Sequence, residues 1–243
     1  MIIDLLTIFP DFFSSPLEQS LIKKARDKGI IRVNIYNIRD FATDKHKTVD
    51  DTPFGGGDGM VMKIEPIYRV IRYAEEKNGE GYKIYLSPKG ERLNQRKVSE
   101  LAQKKHLILL CGRYEGVDER VINFINEEIS VGDYVLMGGE SAALVVLEAV
   151  MRLVPGVVGT ENSVIDESFS AGLLEYPQYT RPFDFMGYKV PDVLLTGNHK
   201  KIKEWRTIQA LLKTYKKRPD LIKDIKIEED MEKKLKEQLK EDA

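Results

Sequence analysis

At 243 residues, 42% hydrophobic and 32% charged, with a formal net charge of −1, the chain has the composition of a soluble globular protein. That length accommodates one large α/β domain or two smaller ones, either able to bury a proper core. Its single cysteine, Cys111, excludes an intramolecular disulfide, argues against a zinc site and fits a cytoplasmic protein.

The opening MIIDLLTIF reads as a buried strand and lacks the basic region and small-residue cleavage site of a secretory signal. Residues 15–29, SPLEQSLIKKARDKG, form a helical pattern with Pro16 near its first turn and Gly29 as its stop, and IIRVNIYNI (30–38) is the second strand. TVDDTPFGGGDGM (48–60) packs four glycines into five positions after paired aspartates and a proline. Such density is kept where the chain needs positive φ or a close approach, although loops of this composition are most often plain turns. A helix at 65–79, a strand YKIYLS (82–87), a helix opening on Asn94, a strand HLILLC (106–111) and a strand EEISVGDYVLM (127–137) follow. ESAALVVLEAVMRLV (140–154) is a helix apolar nearly all round, hence deeply buried or set against a partner subunit. No apolar run reaches the length of a membrane span.

Strands that are apolar rather than alternating, separated by helices, predict a mostly parallel α/β sheet covered on both faces. Residues 155–197 break this pattern with prolines and glycines, yet their aromatic content argues against plain disorder. A helix from about 198 then places Ile202, Trp205, Ile208, Leu212 and Tyr215 on one face, and a charged tail expected to be helical closes the chain. The expected organisation is an α/β domain at 1–164, an irregular linker at 165–197 and a small α-helical domain at 198–243.

In open parallel sheets ligands bind beyond the carboxyl ends of the strands. Those ends carry LSPKG, CGRYEG and SVGDYVLMGGE, each pairing glycine with polar or aromatic neighbours. No G-x-x-x-x-G-K-[ST] occurs, and GGGDGM fails as a dinucleotide fingerprint because Met60 replaces the last glycine. Spacing alone leaves a small-ligand site and ordinary tight turns equally open.

The motifs DKHKTVDDTPFGGGDGMVMK, LSPKG, CGRYEGVDERV, VGDYVLMGGE, MRLVPGV, ESFSAGLLEYPQYTRP and VLLTGNHKKIKEWR occur in this order over about residues 40–210. They resemble the bacterial tRNA (guanine-N1)-methyltransferases, members of the trefoil-knotted SPOUT methyltransferases that use S-adenosylmethionine. The resemblance implies a deep trefoil knot, an obligate homodimer and an active site between subunits. It also implies methylation of the guanosine immediately 3′ of the anticodon. A magnesium requirement is suggested too, for which no dedicated carboxylate cage shows in the sequence.

Methylating N1 of guanine requires removal of its proton and stabilisation of charge on O6, hence a carboxylate base and a cation. By resemblance Arg152 takes the second role, although an arginine closing its own helix is an equal reading of that residue alone. The family has Asp before Ser-Phe, whereas this chain reads Asp166-Glu167-Ser168-Phe169. The base is therefore open between Glu167, the aligned residue, and Asp166. The resemblance assigns the methyl donor to Leu86, Ser87, Pro88, Gly112, Tyr114, Glu115, Val131, Gly132, Asp133, Tyr134, Val135, Leu136, Gly138 and Gly139. Glu115 alone would read better as an acid at a helix N-terminus. Met137 and Ser141-Ala142 depart from the family's Thr and Leu-Pro at the rim of this pocket. To the RNA substrate the resemblance assigns His46, Asp50, Gly55, Gly56, Gly57, Gly59 and Ser168.

From Asn198 to Arg218 there are eight Lys/Arg and one acid, Glu204. Such a run is usually a solvated face, with Trp205 in a core, but it suits phosphate contact, with Lys201 and Arg206 among the contacts. The rival readings are a catalytically idle RNA-binding protein, favoured only by the altered carboxylate motif, and a sister enzyme acting on a ribose 2′-hydroxyl, against which the ESFSAGLLEYPQYTRP block speaks.

Overall fold

The computed structural model describes residues 1–159, 167–169, 172–223, 225, 227 and 229–241. Strand β1 (Ile2–Thr7) leads into α1 (Ser14–Leu17) and α2 (Ser20–Asp27). The single helix expected over 15–29 is broken here, because Ser20 takes a left-handed φ of 45°, while Gly29 ends the second piece as expected at φ 68°. Strand β2 (Arg32–Asn37) is followed by the two-residue strands β3 (Asp50–Asp51) and β4 (Val61–Met62), which pair antiparallel across the glycine segment. Helix α3 (Ile64–Asn78) stops at Gly79, φ 85°.

Strand β5 (Tyr82–Arg92) runs past the expected end at Ser87. Its pairing slips between Leu86 and Glu91, so SPKG is a bulge within the strand rather than a loop after it. Gly90 is required there, since a Cβ would be driven into the backbone of Glu128. Helix α4 (Gln95–Ala102) is capped as predicted, the Asn94 side chain accepting from Lys97 N at 3.0 Å. Strand β6 (His106–Cys111) matches its expected span, but β7 (Glu127–Ser130) stops before the glycine at 132, and residues 131–139 form a loop. Helix α5 is Glu140–Arg152.

The sheet is wholly parallel in the order β2-β1-β6-β5-β7. Alternate residues of its central strands feed two cores. Ile3, Leu5, Leu107, Leu109 and Cys111 meet α1, α2, α4 and α5 on one face. Leu6, Ile108 and Leu110 meet α3 and the hairpin residue Met62 on the other. Each fully buried aliphatic side chain contributes about 1.5–3 kcal/mol, which is why β1 and β6 are largely apolar, with Asp4, Thr7 and His106 as their buried polar exceptions. The α/β sheet covered on both faces is therefore as predicted. Helix α5 is not buried all round within one chain, since Val145 is 49% exposed.

The chain divides into two compact units, Met1–Glu161 and Asn162–Ala243. The second contains the hairpin β8 (Asp184–Phe185) and β9 (Tyr188–Lys189), then α6 (His199–Lys217), α7 (Pro219–Ile222) and α8 (Glu229–Glu241). Its small core joins Leu211 and Leu212 of α6 to Leu235 of α8. Of the predicted apolar face of α6, Ile208 and Leu212 are buried and Ile202 and Trp205 partly so, whereas Tyr215 is 49% exposed and Leu211, outside that face, is buried. Thr214 is buried because its hydroxyl donates to Ala210 O at 2.6 Å and accepts from Leu174 N at 2.9 Å.

Candidate active site

A cavity of about 230 Å³ opens at the carboxyl ends of β5, β6 and β7, where the 112–117 and 130–139 loops and the β5 bulge converge. Leu86, Ser87, Pro88, Gly112, Tyr114, Glu115, Val131, Gly132, Tyr134, Val135, Leu136, Gly138 and Gly139 all line it. Asp133 does not. It faces the surface, 3.3 Å from Arg92. The glycines let backbone and rings close in. Gly139 N donates to Gly112 O at 2.9 Å, and a Cβ on Gly139 would lie 2.8 Å from Cys111 Cα. A Cβ on Gly112 would lie 2.9 Å from the Tyr85 hydroxyl, and one on Gly132 would enter the Tyr134 ring.

Sequence reasoning missed Lys89, Arg113, Glu119, Ile122 and Glu128, which also line the cavity. Glu127 and Glu128 are adjacent but point oppositely along β7. Glu127 is paired with Lys97 at 2.6 Å and accepts from Tyr82, whereas Oε2 of Glu128 is shut off from solvent with no partner. An orphaned buried carboxylate oxygen in a pocket wall calls for a donor from outside the protein. Glu119 lies 3.9 Å from Lys89 and Arg113 is paired with Glu140, which leaves Glu115 and Glu128 to make this wall suited to a cationic small molecule. The sulfonium and ammonium of S-adenosylmethionine, with its hydroxyl and amine donors, fit it.

Arg113 ties the pocket to the sheet. Its Nε donates to Glu140 Oε2 at 2.8 Å, its Nη1 donates to Met137 O at 3.2 Å, and its guanidinium lies 4.5 Å from the Phe9 ring centre. Glu140 is fully buried and accepts its other bond from the Thr7 hydroxyl at 2.7 Å. A side chain on Gly138 would collide with Arg113, so the glycine makes room for this ion pair. Burial pushes the nearby Cys111 thiol well up from its ordinary range, reinforced by the Glu140 charge, leaving it an inert core group.

The glycine segment approaches this pocket. Gly55, Gly56, Gly57 and Gly59 have φ of 89°, 79°, 130° and 87°, a left-handed run that other residues rarely adopt. A Cβ on Gly59 would lie 2.6 Å from Glu115 Oε1. Backbone bonds from Glu115 N to Met60 O (3.0 Å) and from Met62 N to Gly116 O (2.9 Å) stitch the hairpin to the pocket loop. Glu115 is therefore a pocket residue beside the hairpin and not the acid of a helix N-terminus. That position belongs to Asp118, which accepts from Arg120 N. His46 and Asp50 stand at the start of the segment, His46 exposed and Asp50 partly buried. Asp51 accepts from Thr52 N at 2.8 Å, a local turn contact.

Arg152 is the last residue of α5 and is solvent-exposed. In the second unit Glu167 is partly buried, and Ser168 Oγ accepts from Glu175 N at 3.1 Å; Asp166 lies outside the described residues. Lys201 is exposed in the first turn of α6, and the Arg206 guanidinium lies 4.7 Å from the Tyr176 ring centre. Trp205 is only partly buried. Among the described residues no cluster of three or more His, Cys, Asp or Glu side chains is placed to hold a metal ion, and no helix is long and apolar enough to cross a membrane.

A parallel sheet with a glycine-lined small-molecule pocket across its carboxyl edge defines a ligand-binding α/β protein. Comparison narrows the class. The family model for tRNA (Guanine-1)-methyltransferase TrmD matches residues 1–224. The chain is 54% identical over 244 residues to a tRNA (guanine-N(1)-)-methyltransferase of Dictyoglomus turgidum, covering 98% of this chain and 99% of that protein. It is 57% identical over 224 residues to the like-named protein of Carboxydothermus hydrogenoformans, covering 92% and 88%. The crystal structure of tRNA (m1G37) methyltransferase from Aquifex aeolicus superposes with a TM-score of 0.75 at 43% identity, over 91% of this chain and 94% of that one. This chain belongs to the tRNA (guanine-1)-methyltransferase family, and so to the SPOUT methyltransferases.

Proposed function

We propose that the protein transfers a methyl group from S-adenosylmethionine to N1 of the guanosine immediately 3′ of the anticodon in tRNA. The observation that carries this reading is the convergence of the family's glycine loops on one acid-walled pocket, stitched to the glycine hairpin. When bound, S-adenosylmethionine supplies an electrophilic methyl group. The backbone of residues 131–139 and 112–115 holds the donor's adenosine end, and the carboxylates of the wall face its cationic end. Asp50 and the glycines of the hairpin receive the target guanosine and its neighbour, with His46 at the start of the same segment; Ser168 is a further RNA contact by the family resemblance.

The carboxylate of Glu167 or Asp166 takes the N1 proton, freeing the ring electrons for transfer. Arg152, whose charge at the end of α5 is fixed at any physiological pH, stabilises the negative charge that spreads to O6. Both carboxylates remain in play because Glu167 is longer than the family's Asp by one methylene, and a misplacement of about 1 Å can cost roughly 100-fold in rate. The unit 1–161 would bind the donor, and α6, with Lys201 and Arg206, the RNA. The half-exposed Val145 on α5 supports an apolar contact with a second copy, as a homodimer requires. The close approach of Gly139 to the backbone of Cys111 and Gly112 accords with the tight loop packing of a knotted pocket. A cytoplasmic location accords with action on tRNA.

Methyl transfer from labelled S-adenosylmethionine to unmodified tRNA, mapped by reverse-transcription arrest, tests this reading. An arrest at the guanosine after the anticodon is expected, since an N1 methyl blocks pairing. Absence of label from a folded, donor-binding protein would instead favour an RNA-binding protein without catalysis.

A further inference from the structure

The second unit contains a pocket of its own. A cavity of about 430 Å³ lies between the 176–183 segment and the first turns of α6, walled by Tyr176, Tyr179, Phe183 and Trp205, with Arg181 and Arg206 beside the rings. The size is within the roughly 300–1,000 Å³ of small-ligand sites. Its rings are not closed into a core: Tyr179 is 48% and Phe183 43% exposed. Tyr179 and Trp205 meet at 6.3 Å between centres and 51° between planes, a splayed pair leaving ring faces open. Arg206 lies against Tyr176, and Lys200, Lys201 and Lys203 stand exposed on the adjoining turns.

We infer that this pocket takes one unpaired nucleotide of the RNA, its base against the Tyr179 and Trp205 rings and its phosphate toward Arg181 and Arg206. The inference rests on the tRNA reading above and adds to it a base-reading subsite separate from the donor pocket. Charge decides the occupant. A peptide or second copy would be served by the rings alone, whereas two guanidiniums beside an aromatic slot, with eight Lys/Arg and one acid over residues 198–218, match a strand with a phosphate at every residue. Single-stranded bases are held in this way, by stacking on aromatic faces within a basic surround.

Trp205 is the only tryptophan in the chain, so its emission reports this pocket alone. The full-length protein is titrated with unmodified tRNA and with an anticodon stem-loop carrying one abasic nucleotide at each loop position in turn. Binding is measured separately by gel shift. The expected result is a change in Trp205 emission on tRNA binding that a single abasic position abolishes, and no change with S-adenosylhomocysteine. Tyr179→Ala is expected to weaken tRNA binding about tenfold or more, Tyr179→Phe to restore it, and both to bind S-adenosylhomocysteine as the parent does.

Bound tRNA with silent emission, indifference to every abasic position, or full affinity in Tyr179→Ala overturns the subsite while leaving the tRNA reading intact. So does an emission change that follows protein concentration without RNA, which would assign the pocket to a second copy. Failure of the parent to bind any tRNA overturns both.

Discussion

Gly139 is pressed against the backbone of the Cys111–Gly112 turn: a methyl group there would lie 2.8 Å from Cys111 Cα and 3.0 Å from Gly112 N. Neither neighbour is a side chain that can turn away. Gly139→Ala is expected to destabilise the protein by about 1–3 kcal/mol and to weaken S-adenosylhomocysteine binding. Urea unfolding with calorimetric titration checks this, and an unchanged midpoint would mean that the two loops can part. His106 carries a second residue-level consequence. Its Nδ1 lies 2.9 Å from Gly79 O and its Nε2 2.9 Å from Asp4 Oδ2, both acceptors, so only the doubly protonated ring satisfies both. Burial opposes that charge, but the Asp4 carboxylate and the Gly79 carbonyl outweigh it, and the pKa is raised above the ordinary 6.5. A raised folded-state pKa gives stability that is complete below 6.5 and is lost as pH climbs through the folded value. The parent's urea midpoint should therefore fall over that range more steeply than that of His106→Asn, which is itself expected to cost about 3 kcal/mol at pH 6 by leaving Asp4 without its cation. Parallel pH profiles would count against a charged His106.

At the scale of elements, α6 divides along its length rather than by face. Leu211, Leu212 and Thr214 dock on the unit's core, while Lys200, Lys201, Lys203, Lys216 and Lys217 are exposed. Lys→Ala changes at 200, 201 and 203 are expected to weaken tRNA binding, to lower its salt dependence by roughly 0.7–0.9 in log–log slope per lost phosphate contact, and to leave donor binding unchanged. Filter binding across a salt series checks this, and equal loss of both ligands would indicate damage to the fold instead. The hairpin between β3 and β4 shows why its composition is so extreme. Four left-handed glycines let a short loop turn back on itself, and only Gly59 of the four is pressed by another element, at Glu115.

The molecule as a whole leaves apolar surface on the donor-pocket loop, with Val135 85% and Met137 92% exposed, besides Val145 on α5. Scattered apolar exposure is ordinary, but side chains this large on a glycine-rich loop are suited to a subunit contact. A dimer is expected by light scattering at micromolar concentration, and Val145→Glu is expected to shift it toward monomer and to lower methyl transfer. A monomeric parent with full activity would remove the shared-site reading.

The sequence by itself determined the periods: five strands, the helices between them, the Asn94 cap, the Gly29 stop and the glycine loops that follow β6 and β7. These are local properties, set by burial on both faces of a parallel sheet and by positive φ. Collinear motifs carried the family. Only the tertiary structure decided which loops meet, because the order β2-β1-β6-β5-β7 places next to one another strands that are distant in the chain. It turned Asp133 out to Arg92 and brought in Arg113, anchored by Glu140 from 27 residues away. It set Glu127 and Glu128 on opposite faces of one strand, the first paired and the second facing the pocket. Periodicity told which residues share a face, but what faces them depends on elements far along the chain.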